Sequence, residues 1–153
     1  MNVPYKDVPI RGAKYRIDRM TAADGAWLLA LFTERYSARK ALEGAGKIQR
    51  EPTEAEIEAA EKAQKAIDPD ARALMMANFL LTQLKRAEIA EVQLACLSVC
   101  SKYEDKTGTV LPMPLLDGTR FLYPELERDG PTVLELTREV LAFNLSPYFS
   151  EAD

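Results

Sequence analysis

The spacing of apolar residues changes several times along the chain, and each change predicts a different element. Polar and apolar side chains alternate over residues 14–20, which predicts a short strand because successive strand residues face opposite sides. Thr21 followed by Asp24 is close to a capping box, so a helix is expected to begin there and to continue to about Tyr36. The chain is therefore expected to open with a strand and a helix.

Two stretches depart from these regular patterns. Residues 1–13 contain two prolines and a glycine and are interpreted as an extended or poorly ordered arm. Residues 37–67 are rich in Ala, Glu and Lys. Their helix, which begins near Thr53, is expected to be a solvated and loosely packed insertion because it has few bulky apolar side chains. We predict that residues 1–153 form a single domain.

The middle of the chain is its most apolar part. A helix start is expected at Asp68 and Pro69, and residues 74–84 are apolar almost all round, which is typical of a central core helix. Residues 89–99 place apolar side chains three or four positions apart, which predicts one more amphipathic helix. No glycine or proline lies at the join, so the pattern leaves open whether these are two helices or one bent helix.

The last third predicts a small β-hairpin and a closing helix. An Asp-Gly pair at residues 117–118 is a strong hairpin signal, and residues 15–19 could add a third strand. The prolines at positions 112 and 114 exclude a central strand there, while residues 130–145 form an apolar helix pattern. We therefore predict a mainly α fold, a compact bundle of about four to five helices with a small two- or three-stranded β element.

Composition and charge make an enzyme or a nucleic-acid-binding protein a poor expectation. The 153 residues include no histidine, which removes the commonest general acid–base and nitrogen metal ligand. The net charge is −4, which argues against broad binding to nucleic acid or to anionic membranes. No apolar run approaches the ~20 residues that a membrane span needs. We expect no catalysis, no cofactor and no metal.

The two cysteines, Cys96 and Cys100, are most simply explained as small buried apolar residues. Their spacing would place them one turn apart on a helix, where a disulfide has poor geometry. A zinc site would need two further ligands from elsewhere in the chain. Two free thiols are consistent with a reducing cytoplasm.

Two groups of residues are candidates for binding a protein partner. Methionine side chains adapt to irregular apolar surfaces, which makes Met75, Met76 and Met113 candidates, although methionine in a core is commoner. Aromatic residues gather near the end of the sequence and either clip it onto the core or form an exposed patch; they are Phe143, Tyr148 and Phe149.

Three segments resemble, in their order and hydrophobic pattern, the tail assembly chaperones of long-tailed bacteriophages. Residues 15–29 are similar to the N-terminal strand and first helix of that family, and residues 94–100 to its middle helix. The segment from Phe121 to Leu145 resembles its closing part. Together these segments cover roughly half of the chain, and none of them is a catalytic signature.

The resemblance implies a non-enzymatic protein that binds the tape measure protein and keeps it soluble in the host cytoplasm during tail assembly. Such a protein would be absent from the mature virion. In many members a translational frameshift makes a longer product that recruits the tail tube protein, which would then be a second partner. Two other functions stay open: a structural component of a phage tail or connector, and a small helical regulatory protein. A homo-oligomer is also left open.

Overall fold

The computed structural model describes residues 3–45, 53–66 and 68–148, and these contain five α-helices and six strands. The helices are α1 (Ala22–Ala45), α2 (Glu54–Ala66), α3 (Pro69–Gln83), α4 (Arg86–Leu97) and α5 (Gly130–Leu145). The strands are β1 (Tyr5–Ile10), β2 (Ala13–Asp18), β3 (Cys100–Lys106), β4 (Thr109–Pro114), β5 (Leu116–Asp117) and β6 (Arg120–Phe121). Short 3₁₀ turns at Pro124–Arg128 and Ser146–Tyr148 flank α5.

Four strands form an antiparallel sheet in the order β1-β2-β3-β4. Val8 lies opposite Tyr15, and Ile17 lies opposite Cys100. All four side chains are buried, with exposed fractions of 0–4%. Because residues two apart on a strand share a face, the buried set defines one face of the sheet, which the helices cover. The sheet therefore lies on one side of the fold and the helices lie on the other.

The predicted two- or three-stranded β element is wrong, and the segment interpreted as an arm is the first reason. Residues 5–10 form β1, in which Val8 and Ile10 are each only 4% exposed. The turn to β2 consists of Arg11 and Gly12, with φ of 48° and 88°, the backbone of a tight hairpin turn that matches strand twist. The prolines and the glycine correctly indicated extended chain and a turn. The segment is nevertheless paired with β2 as a strand of the sheet and is not an arm.

Strand β3 is the second reason. The helical spacing of residues 89–99 runs up to the first residue of β3. For this reason the end of α4 at Leu97 and the start of a strand at Cys100 were not predicted. The polar residues after Tyr103 continue the strand to Lys106. The reversal occurs at the next two residues, Thr107 and Gly108, which both have positive φ.

Two other predictions about the strands are confirmed, and a third is not. β4 carries Pro112 and Pro114 and is an edge strand, as expected for residues without an N–H to donate. The Asp-Gly hairpin forms β5 and β6, in which Leu116 faces Phe121 across the pair. It is a separate two-stranded sheet, so residues 15–19 do not extend it.

The central helix is α5, whereas the sequence favoured α3. Eight residues of α5 are buried, including Leu136, Val140 and Leu141, which are all 0% exposed. α5 packs against the sheet on one side and against α3 and α4 on the other. α3 buries mainly small residues, such as Ala77, and Met75 on its outer face is 53% exposed.

α3 and α4 are two helices, which settles the question that their pattern left open. Leu84 has an extended backbone with ψ of 143° and ends α3. The Glu88 carboxylate then accepts a hydrogen bond from the backbone N–H of Lys85 at 2.9 Å, which caps the start of α4. Arg35 of α1 donates to the Gln83 carbonyl at 3.0 Å and to both carboxylate oxygens of Glu88. This forked contact fixes α1 against the joint and holds the pKa of Glu88 below its usual value.

α1 and α2 differ from the rest in how little they bury. α1 continues past the predicted end at Tyr36, and the described side chains of residues 36–42 are exposed. Every described side chain of residues 53–63 is also exposed, including Ile57 at 44%. α2 therefore owes its helix to the intrinsic preference of Ala, Glu, Lys and Gln for that state.

Candidate partner-binding surfaces

The three methionines predicted to bind a partner lie at separate places. Met75 is half-exposed on the outer face of α3. Met76, on the same helix, packs partly buried against the core. Met113 lies on β4, opposite Lys102 of β3. The fold therefore does not combine the three into one surface.

The aromatic residues near the end of the sequence divide in the same way. Phe143 is only 7% exposed, and the Arg19 guanidinium stacks over its ring, 3.6 Å from the centroid, while donating to its carbonyl. Tyr148 is 54% exposed, and Phe149 lies outside the described residues. Phe143 is thus part of the core, where it helps to join the end of β2 to α5.

The Arg19 contact explains why this end of α5 is held firmly. The side-chain oxygen of Asn144 accepts a hydrogen bond from the backbone N–H of Met20 at 2.9 Å, and Arg19 also donates to the Val3 carbonyl at 3.0 Å. A cation beside the last carbonyls of a helix is stabilised by the helix dipole. Partial burial nevertheless lowers the pKa of Arg19 by desolvation.

A cleft of about 570 Å³ opens beside this junction, between β1, the start of α3 and the end of α5. Its lining mixes apolar and charged groups, among them Tyr5, Leu74 and an ion pair between Lys6 and Glu139 at 3.8 Å. The charged groups in the cleft therefore already neutralise each other in part.

A second surface lies along the seam of α1 and α3. The rings of Phe32, Tyr36 and Phe79 pack against one another with centroids 5.6–6.1 Å apart. Met75 lies one turn before Phe79 on α3 and therefore shares its face. This seam is apolar, but its aromatic rings already pack against one another.

The third surface is an apolar groove of about 340 Å³, bounded by α4, the β5–β6 hairpin, the 3₁₀ turn at Pro124–Arg128 and the start of α5. We call it the α4–α5 groove. Leu94 stands at its rim with 39% of its surface exposed, and Leu97 and Leu126 form the floor at 4% exposed each. The other bulky apolar side chains that line it are Leu116, Phe121 and Val133.

Local structure explains how the α4–α5 groove is built. On α4 its lining residues are Ala90, Gln93, Leu94 and Leu97, spaced as on one face of a helix. The opposite wall is the β5–β6 hairpin, whose turn uses Gly118 with φ of +63°. At the start of α5 the Asp129 carboxylate accepts a hydrogen bond from the backbone N–H of Thr132 at 3.2 Å, which caps the helix. Hydrogen bonding to the side chain and to the backbone of Thr132 lowers the pKa of Asp129.

Charge is nearly absent from the α4–α5 groove. Of its lining residues only Glu127 is ionisable, and Glu127 has no ion-pair partner within the part of the chain that the structure describes. The hairpin that forms one wall was predicted from the sequence, but the groove was not. The helical spacing of Ala90, Leu94 and Leu97 was visible, yet nothing local shows that this face stays uncovered.

The groups elsewhere whose pKa is raised most are in structural contacts. Burial raises the pKa of Cys96 well above its usual value and that of Cys100 to about 12, as expected for small buried residues. Tyr103 donates a hydrogen bond to the Asp7 carboxylate at 2.6 Å, and this contact raises the pKa of Tyr103 to about 12. Within the described ranges, no three Cys, Asp or Glu side chains cluster in a metal-binding arrangement.

None of the helices in the described part of the chain combines the length and the apolar character that a membrane span requires. What the described surface does offer is exposed apolar area on helices and along a groove, and surfaces of that kind bind other proteins. The fold is thus an α+β domain whose described surface includes an apolar groove.

Comparison with known families specifies this class further. Residues 11–153 match the family model described as "Phage tail assembly chaperone protein, TAC". The chain therefore belongs to the phage tail assembly chaperone family, and the resemblance noted in its sequence is confirmed. No curated protein and no solved structure matched the chain.

Proposed function

We propose that this protein is a non-enzymatic chaperone that binds the tape measure protein and keeps it soluble while the phage tail assembles. The observation that carries the proposal is the family match, which includes all of the chain except its first ten residues. A chaperone of tail assembly needs a tail component as its client. The long helical tape measure protein is the client that the sequence resemblance implies.

The described surface supports binding to a helical client. A long amphipathic helix exposes an apolar stripe that aggregates unless another apolar surface covers it. The α4–α5 groove, with a volume of about 340 Å³ and one ionisable lining residue, has the character of sites that receive such a stripe. The half-exposed Met75 provides a further adaptable apolar contact.

The same proposal places the protein in the host cytoplasm during assembly and outside the finished virion. It also gives the tail tube protein a place as a second partner, through a longer frameshifted product. Mass spectrometry of purified particles tests the first point. Stoichiometric recovery of this chain in particles would instead make it a structural tail component.

Co-expression with the tape measure gene of the same genome tests the proposed function directly. We expect the tape measure protein to move from the insoluble to the soluble fraction and to co-purify with this chain. The matched control replaces this chain with a soluble protein of similar size and charge, expressed at the same level. Aggregation of the tape measure protein to the same extent in both cultures would refute the proposal.

A further inference from the structure

We propose that the α4–α5 groove binds one amphipathic helix of the tape measure protein, with a basic side chain of that helix placed against Glu127. This inference rests on the proposed function and adds to it the binding surface and the chemistry of the bound segment. Three features of the groove support it: the geometry of α4, the exposure of its apolar rim and the unpaired charge at its edge.

The geometry of α4 favours a helix as the occupant. The lining residues of α4 recur at intervals of three and four positions, from Ala90 through Leu94 to Leu97, which is the pattern of a helix face that packs against another helix. Small residues stand at both rims, Ala90 on α4 and Gly130 on α5. Because helix axes approach to within about 8–10 Å when the facing side chains are small, these rims leave room for a bound helix.

The exposure of the rim provides the favourable free energy of binding. Leu94 keeps 39% of its surface in contact with solvent, although it borders a floor of buried leucines. Covering it would extend the existing core without any rearrangement of Leu97 or Leu126. Burial of this exposed apolar surface by a partner would contribute favourable hydrophobic free energy.

The charge at the edge selects the sign of the partner. Glu127 lines the groove and has no ion-pair partner among the described residues. A Lys or Arg beside the apolar stripe of the partner would pair with it, whereas an acidic residue there would be repelled. The other two surfaces differ from the groove in character: the cleft is lined by several charged groups, among them the Lys6–Glu139 pair, and the seam of α1 and α3 has its aromatic rings packed together.

Leu94→Glu tests the groove, and Ile57→Glu is its matched control. The two residues have similar exposed fractions, 39% and 44%, and both lie on helices. Glutamate is a good helix former, so both variants should fold and melt like the unmodified protein. Each variant is co-expressed with the unmodified chain and with the tape measure protein, and the variant and the unmodified chain carry different affinity tags. The tape measure protein is isolated, and the ratio of variant to unmodified chain recovered with it is measured.

We expect the recovery of Leu94→Glu to fall about tenfold or more relative to the unmodified chain, and that of Ile57→Glu to stay equal to it. Glu127→Lys should lower recovery several-fold in low salt, with a smaller loss in high salt where the charges are screened. Glu61→Lys, which makes the same change at an exposed position on α2, should have no effect.

The outcomes distinguish a failure of this inference from a failure of the proposed function. If the unmodified chain does not recover the tape measure protein, the proposed function is wrong. If it does, and Leu94→Glu competes as well as Ile57→Glu, the function stands and the groove is not the binding surface. If light scattering shows that the purified chain alone is a dimer that Leu94→Glu dissociates, a second copy occupies the groove and the inference is overturned.

Discussion

Replacing Leu136 by alanine tests whether α5 is the centre of the fold. Leu136 is 0% exposed, and Leu134, two residues away on the same helix, is 41% exposed. If α5 lies between the sheet and the helices as described, the two substitutions must have very different effects on stability. If α5 were a surface helix, both leucines would matter little.

The magnitude follows from the burial of each side chain. Removing Leu136 forfeits the whole free energy of transfer of a buried leucine, about 1.5–3 kcal/mol, and leaves a cavity. Since elements pack on both sides of α5, the site has little freedom to collapse. A loss of about 3–4 kcal/mol is expected, within the range of about 2–5 for such substitutions. Leu134→Ala should cost about 1 kcal/mol or less, because much of that side chain is already in water.

Urea unfolding followed by circular dichroism measures both values. With a slope of about 1–3 kcal/mol per molar urea for small proteins, Leu136→Ala should lower the midpoint by more than about 1 M. In thermal melts, 3 kcal/mol corresponds to a drop of roughly 6–12 °C at this chain length. Equal shifts for Leu134→Ala and Leu136→Ala would refute the burial of α5.

The remaining predictions concern β1, the α3–α4 joint and the thiols. Ile10→Ala should destabilise the protein by about 2–4 kcal/mol in the same assay, whereas Val3→Ala, at a residue 49% exposed, should be nearly neutral. Equal effects of the two substitutions would contradict the burial of β1. Arg35 lowers the pKa of Glu88 below 4.5, so the pair stabilises the fold above that pH and loses its contribution as pH falls through the lowered pKa. The stability difference between the native chain and Glu88→Gln should therefore shrink on acidification, and a constant difference would contradict the contact. Both cysteines are buried with raised pKa values, so a thiol reagent should label neither at neutral pH until urea unfolds the chain.

The elements with local signals were predictable from sequence. α5 begins at Gly130 and ends at Leu145, the bounds of the apolar helix pattern in the sequence, because helix periodicity and end signals involve residues only a few positions apart. The hairpin at residues 117–118 was predictable for the same reason, since its turn geometry depends on one glycine. Such signals need no knowledge of the rest of the fold.

The elements that depend on distant partners were not predictable. β1 is a strand because Val8 pairs with Tyr15 and because helices cover that face, and neither fact is visible in a short segment with two prolines. The ranking of α3 over α5 failed because Met75 is apolar yet exposed. The α4–α5 groove brings together four separate segments, so it cannot be predicted from any single stretch of sequence.

The edges of the main sheet favour a helical partner over an added strand. In the β1–β2 hairpin, Ile10 and Ala13 flank the turn and form a hydrogen-bonded pair. Because hydrogen-bonded and non-hydrogen-bonded pairs alternate along the strands, the next residue, Pro9, has its nitrogen facing the open edge of the sheet. The same alternation turns the nitrogens of Pro112 and Pro114 to the open edge of β4. A peptide that extended the sheet would need N–H donors at these positions, and proline has none. A helix satisfies its own backbone and requires only an apolar surface for its side chains, and the α4–α5 groove supplies that surface.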